Sequence, residues 1–303
     1  MLLSRRNTLA VYLLCTLAGP IAKAETIYAL LNNAPSIGQQ LVSFDSTTRA
    51  VLSTVVLQTA NTLSPLASID VRPATGQLYG YDASQRQLYT INVGTGALTT
   101  VGSPLSAGTV AGESIDFNPT VDRIRLVGGN NSNFRLHPDT GAIAATDPNL
   151  SYAAGDANQG DAPAVRGVGY TNSVAGASTT SLYDIDVNND ILIRQDPAND
   201  GTLNTVGSLG VNLNTGLFGT FTDFDISGTT GVAYLTDGPF AGASTLYTVD
   251  LATGMATSQG TITGLPTGRT VAAIAVGPVV PEPASIGLAM LGAVAVFAAK
   301  HRN

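Results

Sequence analysis

The chain is 303 residues long and 44% hydrophobic but only 12% charged, with a formal net charge of −7, one Cys, no Trp and two His. That charge content is about half of a usual ~25% and argues against a cytosolic helical protein. With no Lys/Arg cluster to neutralise phosphates, nucleic-acid binding is excluded. One Cys excludes a disulfide framework and any cysteine-built zinc or iron–sulfur site.

The first 24 residues carry Arg5 and Arg6, an apolar run from Leu9 to Ala18, and Ala22-Lys23-Ala24. This is the three-part pattern of a secretory signal with an A-x-A cleavage site, so the mature chain is expected to begin at Glu25. The apolar run is far short of the ~20 residues of a membrane span, which disfavours an N-terminal anchor. The Arg5-Arg6 pair hints at twin-arginine export, but Thr8 stands where that signal wants an aromatic, so general secretion is the better reading. From Glu25 to Val280 there are nine Arg and no Lys against eighteen Asp and two Glu, a net charge of about −11. Such a surface disfavours anionic polymers at range and favours cations.

Three short strands are expected first, over 27–31, 40–44 and 51–57. Repeated units follow. SIDVRPATGQLYGYD, SIDFNPTVDRIRLVG and DFDISGTTGVAYLTD each read as two alternating runs around a turn. Each is followed by a second pair, in QLYTINVGTGALTTVG, NFRLHPDTGAIAATD and STLYTVDLATGMATSQG, where Gly96, Gly141 and Gly254 suit a tight turn needing positive φ. Helix-period patterns are missing between the two ends. Full four-strand units begin near Ala67, Glu113, Arg166 and Thr222, and equivalent positions recur every 46 to 56 residues from Ile69 to Ile274. Units of that size predict an all-β, five-bladed β-propeller. The three opening strands and an orphan strand over 271–276 make the fifth blade and close the ring. A β-sandwich or another all-β repeat is the alternative.

In a propeller, the loops from strand 4 to the next strand 1 and from strand 2 to strand 3 share one face. Here they include the longest irregular segments: 102–112, 128–132, 146–164, 207–219 and 237–244. Binding is expected on that face, with Asn130, Asn131 and Asp237 among its polar groups. Asp70, Asp116 and Asp225 take equivalent positions on three inner strands. They could ring a cation or sugar near the axis, or serve the repeat by bonding a neighbouring blade's N–H.

Glu113 is the one Glu deep in the body, one turn before Asp116. A glycosidase needs two carboxyl groups flanking the bond, so Glu113 with Asp116 is the catalytic candidate. The lack of Trp for stacking sugars weakens it. The acidic stretch holding Asp147, Asp156 and Asp161 suits the oxygen-rich shell of Ca²⁺, or is a surface loop whose Asp and Asn residues make turns. Asp184 to Asp190 superficially has calcium-loop spacing, but Asn189 replaces the Gly and Gln195 the bidentate Glu, so it reads as a hairpin turning at Asn188-Asn189. His137 aligns with Asn92 and Asp250 at strand ends and reads as a turn residue. With no Lys and no Cys in the body, Lys- or Cys-based nucleophilic catalysis is absent. No GxSxG elbow or phosphate-binding glycine loop occurs.

The chain ends in Val280-Pro281-Glu282-Pro283, sixteen apolar or small residues from Ala284 to Ala299, and Lys300-His301-Arg302-Asn303. Sixteen helical residues span about 24 Å, workable for a transient span with snorkelling basic ends. This arrangement resembles the PEP-CTERM sorting signal, at Pro281, Glu282 and Pro283. The resemblance implies an exosortase and the secretion machinery as partners, transient anchoring in the inner membrane, a final place at the cell surface or outside the cell, and a link to exopolysaccharide. A permanent tail anchor is the alternative. NPTVDRIRLVGGNNSNFRLHPDTG, with TDPNLSYAAGDANQGDAP, TTSLYDID and GTLNTVGSLGV, resembles a secreted domain family of unknown function. That resemblance implies a propeller-like fold and no particular reaction.

The expected organisation is a leader over 1–24, a propeller over 25–277 and a sorting tail over 278–303. The expected role is a non-catalytic binding or structural module for a polysaccharide or surface protein, with a polysaccharide-cleaving enzyme as the alternative.

Overall fold

The computed structural model describes residues 24–32, 38–58, 65–106, 112–213, 220–240 and 242–277. The leader and the sorting tail, including Pro281, Glu282 and Pro283, lie outside the described residues, apart from Ala24.

The described residues form five sheets, as the repeat predicts. In chain order the strands begin with β1 (Thr26–Leu31), β2 (Gln40–Asp45) and β3 (Val51–Val56) of the first blade. The second blade is β4 (Ser68–Arg72), β5 (Gln77–Asp82), β6 (Gln87–Ile91) and β7 (Leu98–Val101). The third is β8 (Gly112–Asn118), β9 (Arg123–Gly128), β10 (Ser132–Leu136) and β11 (Ile143–Thr146). The fourth holds β12 (Ser151–Tyr152), β13 (Val165–Tyr170), β14 (Leu182–Asp186), β15 (Ile191–Gln195) and β16 (Thr202–Ser208). The fifth is β17 (Thr220–Ile226), β18 (Ala233–Pro239), β19 (Thr245–Val249) and β20 (Ala256–Thr261). Strand β21 (Val271–Val276) returns to pair antiparallel with β1, Ile27 opposite Val276 and Leu30 opposite Ala273, and completes the first blade. The inner strands abut in the order β4, β8, β13, β17, β21 and back to β4, so the chain is a closed five-bladed propeller.

Alternation supplies the packing. On β1, Ile27, Ala29 and Leu31 pack against the fifth blade through Tyr234, Leu246 and Ile262, while Leu30 packs against the second through Leu66, Ile69 and Leu78. Five apolar clusters result, one for each gap between neighbouring blades. The core is therefore five slabs around an axis, and strands such as β1, β16 and β21 contribute to two of them by their period of two.

The strand 3 to strand 4 turns are built as the Gly spacing predicts, with φ of 72° at Gly96, 66° at Gly141 and 83° at Gly254. At Gly141 a side chain is doubly disallowed, because a Cβ there would lie 2.5 Å from the Val101 carbonyl oxygen of the second blade. His137 belongs to the same turn, its Nδ1 accepting from the Asp139 N–H at 3.3 Å, as Asn92 and Asp250 do in theirs. The hairpin reading of 184–190 holds too, with β14 and β15 joined by a turn over 187–190.

One element differs from the sequence reading. Segment 146–164 is not wholly irregular: β12 runs parallel to β16 and adds a fifth strand to the fourth blade's outer edge. Tyr152 is buried there and its hydroxyl donates to Asp186, while the Thr205 N–H and hydroxyl both donate to Asp156 at 2.7 Å.

Candidate functional site

The inner strand of each blade has an edge facing the channel, and its N–H groups have no strand partner there. Asp70, Asp116 and Asp225 lie at equivalent points on β4, β8 and β17; β13 has Gly169 and β21 has Ala275. Asp70 accepts from Phe117 N–H of the third blade at 2.6 Å, Asp116 from Tyr170 N–H of the fourth at 3.0 Å, and Asp225 from Val276 N–H of the first at 2.6 Å. Two N–H groups follow a blade that has no carboxylate to offer. Their own strands supply it: Asp70 also accepts from Val71 N–H at 2.6 Å and Asp225 from Ile226 N–H at 2.5 Å. Three side chains thus cap one N–H on each of the five blades. They serve the repeat, and they also converge, with one oxygen from each lying within 4.8 Å of the others.

Three buried carboxylates this close cannot all ionise without compensation. Burial first, and then their neighbours' charge, hold Asp70 and Asp116 well above the ordinary carboxylate range. Burial pushes Asp225 up to about 6. One tier along the strand, Asp223 accepts from Ile274 N–H at 2.8 Å and burial pushes it up to about 8.

Above this ring, where the inner strands begin, the channel opens into a cavity of about 510 Å³. Its walls combine the first residues of β13 and β17, among them Arg166, Phe221 and Asp223, with loop residues including Asn32, Gln39 and Phe240, the last from the predicted segment 237–244. The rings of Phe221 and Phe240 stack at 5.8 Å with planes 24° apart, and Phe240 is half exposed. At the channel's other end a recess of about 220 Å³ touches Asp70, Asp225, Pro73, Val174 and Gly277.

The remaining predicted residues are dispersed. Asn130 and Asn131 hold left-handed turn conformations, with φ of 61° and 60°, at the β9–β10 corner, and Asp237 accepts from the Thr222 hydroxyl at 2.9 Å; none of them is among the described cavity walls. Glu113 lies on β8, but its side chain is outside the described residues. The calcium stretch does not assemble as expected. Asp147 is paired with Arg125 at 2.7 Å and Arg135 at 2.8 Å, and Asp156 is held by Thr205. Asp161 is exposed. Among the described residues, the three acidic groups whose oxygens come together are Asp70, Asp116 and Asp225. Their oxygens are of the hard type Ca²⁺ takes, but one converging oxygen from each makes three, against the six to eight its shell needs.

The family described as "Domain of unknown function (DUF4394)" matches residues 40–275. The chain belongs to this family. The "PEP-CTERM protein-sorting motif" matches 279–303, so this DUF4394 protein is an exported protein with a C-terminal sorting tail processed by an exosortase. Among the described residues no helix is long and apolar enough to cross a membrane, and the apolar run 284–299 lies outside them. No curated protein matches the chain. Two solved structures similar to it are a putative 6-phosphogluconolactonase from Bacteroides uniformis ATCC 8492 and a Nidogen/Laminin complex. The first is 14% identical over 79% of this chain and 82% of that one, with a TM-score of 0.42. The second is 11% identical over 84% and 98%, with a TM-score of 0.46.

Proposed function

We propose that this exported propeller is a non-catalytic binding module of the cell surface or extracellular matrix, and that a polysaccharide seats in the cavity at the channel mouth. The stacked Phe221–Phe240 pair carries this reading. It offers an aromatic platform for a sugar ring where the chain has no Trp, on a rigid scaffold with loops gathered around it. Glycoside cleavage needs two carboxyl groups across the bond. Among the described cavity walls there is one, Asp223, and both Asp70 and Asp225 are committed to backbone N–H groups.

The test incubates the intact protein, in mild detergent, with exopolysaccharide from the organism that makes it. Bound protein and newly released reducing ends are recorded together. Retention without new ends, reduced at least several-fold in Phe240→Ala, is the expected result. New ends that vanish in Glu113→Gln would replace the module with an enzyme, and no retention would leave a surface protein as the ligand.

The two ends of the channel also set an orientation. Gly277 lies at the recess end, and Pro281 is four residues further, within about 14 Å of extended chain. A tail anchor therefore holds the recess end toward the membrane and presents the cavity outward. The body contains no Cys, so single-cysteine labels are simple to place. In a Cys15→Ser background reconstituted in vesicles, a fluorophore on Thr75→Cys should be quenched by a headgroup quencher more strongly than one on Ser84→Cys. Equal or inverted quenching contradicts the orientation.

A further inference from the structure

We infer that removal of the leader after Ala24 leaves the new α-amino group of Glu25 inside the propeller, at the seam where the ring closes, and that as an ammonium it supplies the positive charge which that seam lacks. The inference rests on the A-x-A cut at Ala22-Lys23-Ala24 and is independent of what the cavity binds.

Glu25 directly precedes β1 and is 1% exposed. Its N–H donates to the Ser46 hydroxyl at 2.9 Å and its carbonyl accepts from the Ser46 N–H at 2.9 Å, so the residue extends the β1–β2 pairing by one step. Its side chain crosses to the fifth blade. There the carboxylate accepts from the Ser227 hydroxyl, from Thr230 at 2.9 Å and from Tyr234 at 2.9 Å. The Ser46 hydroxyl in turn bonds to that of Tyr234. A closed circuit of hydrogen bonds thus runs from the nitrogen through Ser46 and Tyr234 back to the carboxylate of the same residue. Closure of the ring is completed beside it, where the Gly277 N–H donates to the Thr26 carbonyl at 2.8 Å.

This seam is rich in acid and poor in base. Asp225 feels the charge of Glu25, and Tyr234 feels those of Glu25 and Asp45. Among the described residues no ion pair includes Glu25, Asp45 or Asp225. Hydroxyls satisfy the carboxylate's oxygens but bring no net charge, and a buried carboxylate calls for both. In the uncut chain the nitrogen is an amide with one hydrogen. The cut turns it into an amine that can carry three, and covalent geometry keeps it within about 6 Å of its own carboxylate, the range in which an opposite charge favours the charged form. The titratable groups facing it are that carboxyl group, Asp45 at the end of β2, Asp225 on β17 and Tyr234 on β18, while β21 brings backbone alone. Each of the four is negative when ionised and favours the ammonium. Burial without such partners would favour the neutral amine, so the two cases differ in sign.

The mature chain makes the test direct, because from Glu25 onward Lys300 is its only lysine. The intact protein is exported with its own leader, its start is verified by mass, and its amines are acylated with a trace of reagent at a series of pH values. The N-terminal and Lys300 peptides are then resolved by mass. Acylation follows the neutral amine, and its midpoint at Glu25 should lie at about pH 9 or above, at least one unit over the ~7.7–8.0 of a free terminus. In Glu25→Ser, and in a chain with a Gly-Ser pair inserted between Ala24 and Glu25, the midpoint should return to about 8, with Lys300 unchanged. A raised value stabilises the fold below the unfolded midpoint, and the gain is lost as pH rises through the folded one. The chain with the insertion should therefore melt about 4 °C below wild type at pH 7, the shift that a tenfold change in the folding constant gives a domain of this size, and the gap should close above the wild-type midpoint. A wild-type midpoint at about 8 or lower overturns the inference, as does a mature chain that begins at another residue. Both results leave the polysaccharide reading of the cavity where it stands.

Discussion

Replacing Arg125 with alanine is expected to destabilise the propeller by about 3 kcal/mol, the lower end of what removing one partner of a buried pair costs. Arg125 is 1% exposed, between the third and fourth blades. Its guanidinium donates to Asn133, Asp147 and Asn199, each at 2.7 Å, and to the Tyr170 hydroxyl at 3.3 Å. Truncation leaves Asn133, Asp147 and the Tyr170 hydroxyl buried without this donor, while the exposed Asn199 turns to water, and it opens a cavity the size of the side chain. Asp147 keeps Arg135, through bonds of 2.9 and 2.8 Å, which is why the lower end applies. Arg125→Met separates the two contributions, because it fills the space and supplies no donor. Denaturant midpoints should fall in both variants, and further in Arg125→Ala by the cost of the cavity. A loss below about 1 kcal/mol in Arg125→Ala would place the hold between these blades in the apolar slab alone.

Arg125 also shows where reading the sequence stops. The blade count was legible because the blades repeat the same alternation, three of them with the same Thr-Gly turn, and because three strands at one end and one at the other complete a set. The inner-strand Asp residues stood out for the same reason: a repeated backbone edge presents a repeated N–H, and Asp70, Asp116 and Asp225 answer it. Features that occur once leave no such trace. Arg125 lies in an ordinary alternating strand, and its partners at 133, 147, 170 and 199 come from separate segments of two blades. Phe221 and Phe240 stack across the β17–β18 hairpin ends, and Arg166 reaches the same cavity from another blade. The two-residue β12 has no period to detect, and its parallel pairing is set by the fold around it. Of the long segments read as the binding face, one reaches the cavity among the described residues, through Phe240; which segments meet there follows from closing the ring. The acidic stretch 147–161 misled for a related reason. Composition alone does not distinguish carboxylates gathered for a cation from carboxylates already held by Arg125, Arg135 and Thr205.

Stability is expected to fall as pH rises from about 4 to about 8, contrary to the usual acid denaturation. In the unfolded chain every Asp titrates near 3.9. In the fold, burial raises Asp70, Asp116, Asp184, Asp223 and Asp225. Between the two values the folded state binds more protons, so stability declines with rising pH. The decline begins above about pH 4 and is complete past about 6 for Asp225 and about 8 for Asp184 and Asp223. On the acid side Asp139, beside Arg72, and Asp156, hydrogen-bonded to Asn158 and Thr205, are held below the ordinary value, and their contribution is lost as pH drops below about 4. The melting temperature should therefore peak in mildly acid buffer.

Asp184 offers the simplest single correction, because no hydrogen bond is lost with its charge. It is fully buried, and neither of its oxygens has a hydrogen-bond partner. Asp184→Asn keeps the shape and removes the ionisation. Relative to wild type it should be near neutral at pH 5 and stabilising at pH 9, with an upper bound of roughly 5 kcal/mol from linkage. Asp225→Asn has the opposite signature at low pH. Its amide keeps one acceptor oxygen where the carboxyl group accepts from both Ile226 and Val276, so it should lose stability already at pH 5. A wild-type melting temperature that climbs from pH 5 to pH 8 would contradict the protonated ring. It would mean that the axial carboxylates stand ionised in the fold, with a counter-charge drawn from solution, since the inner strands bring none to that level of the channel.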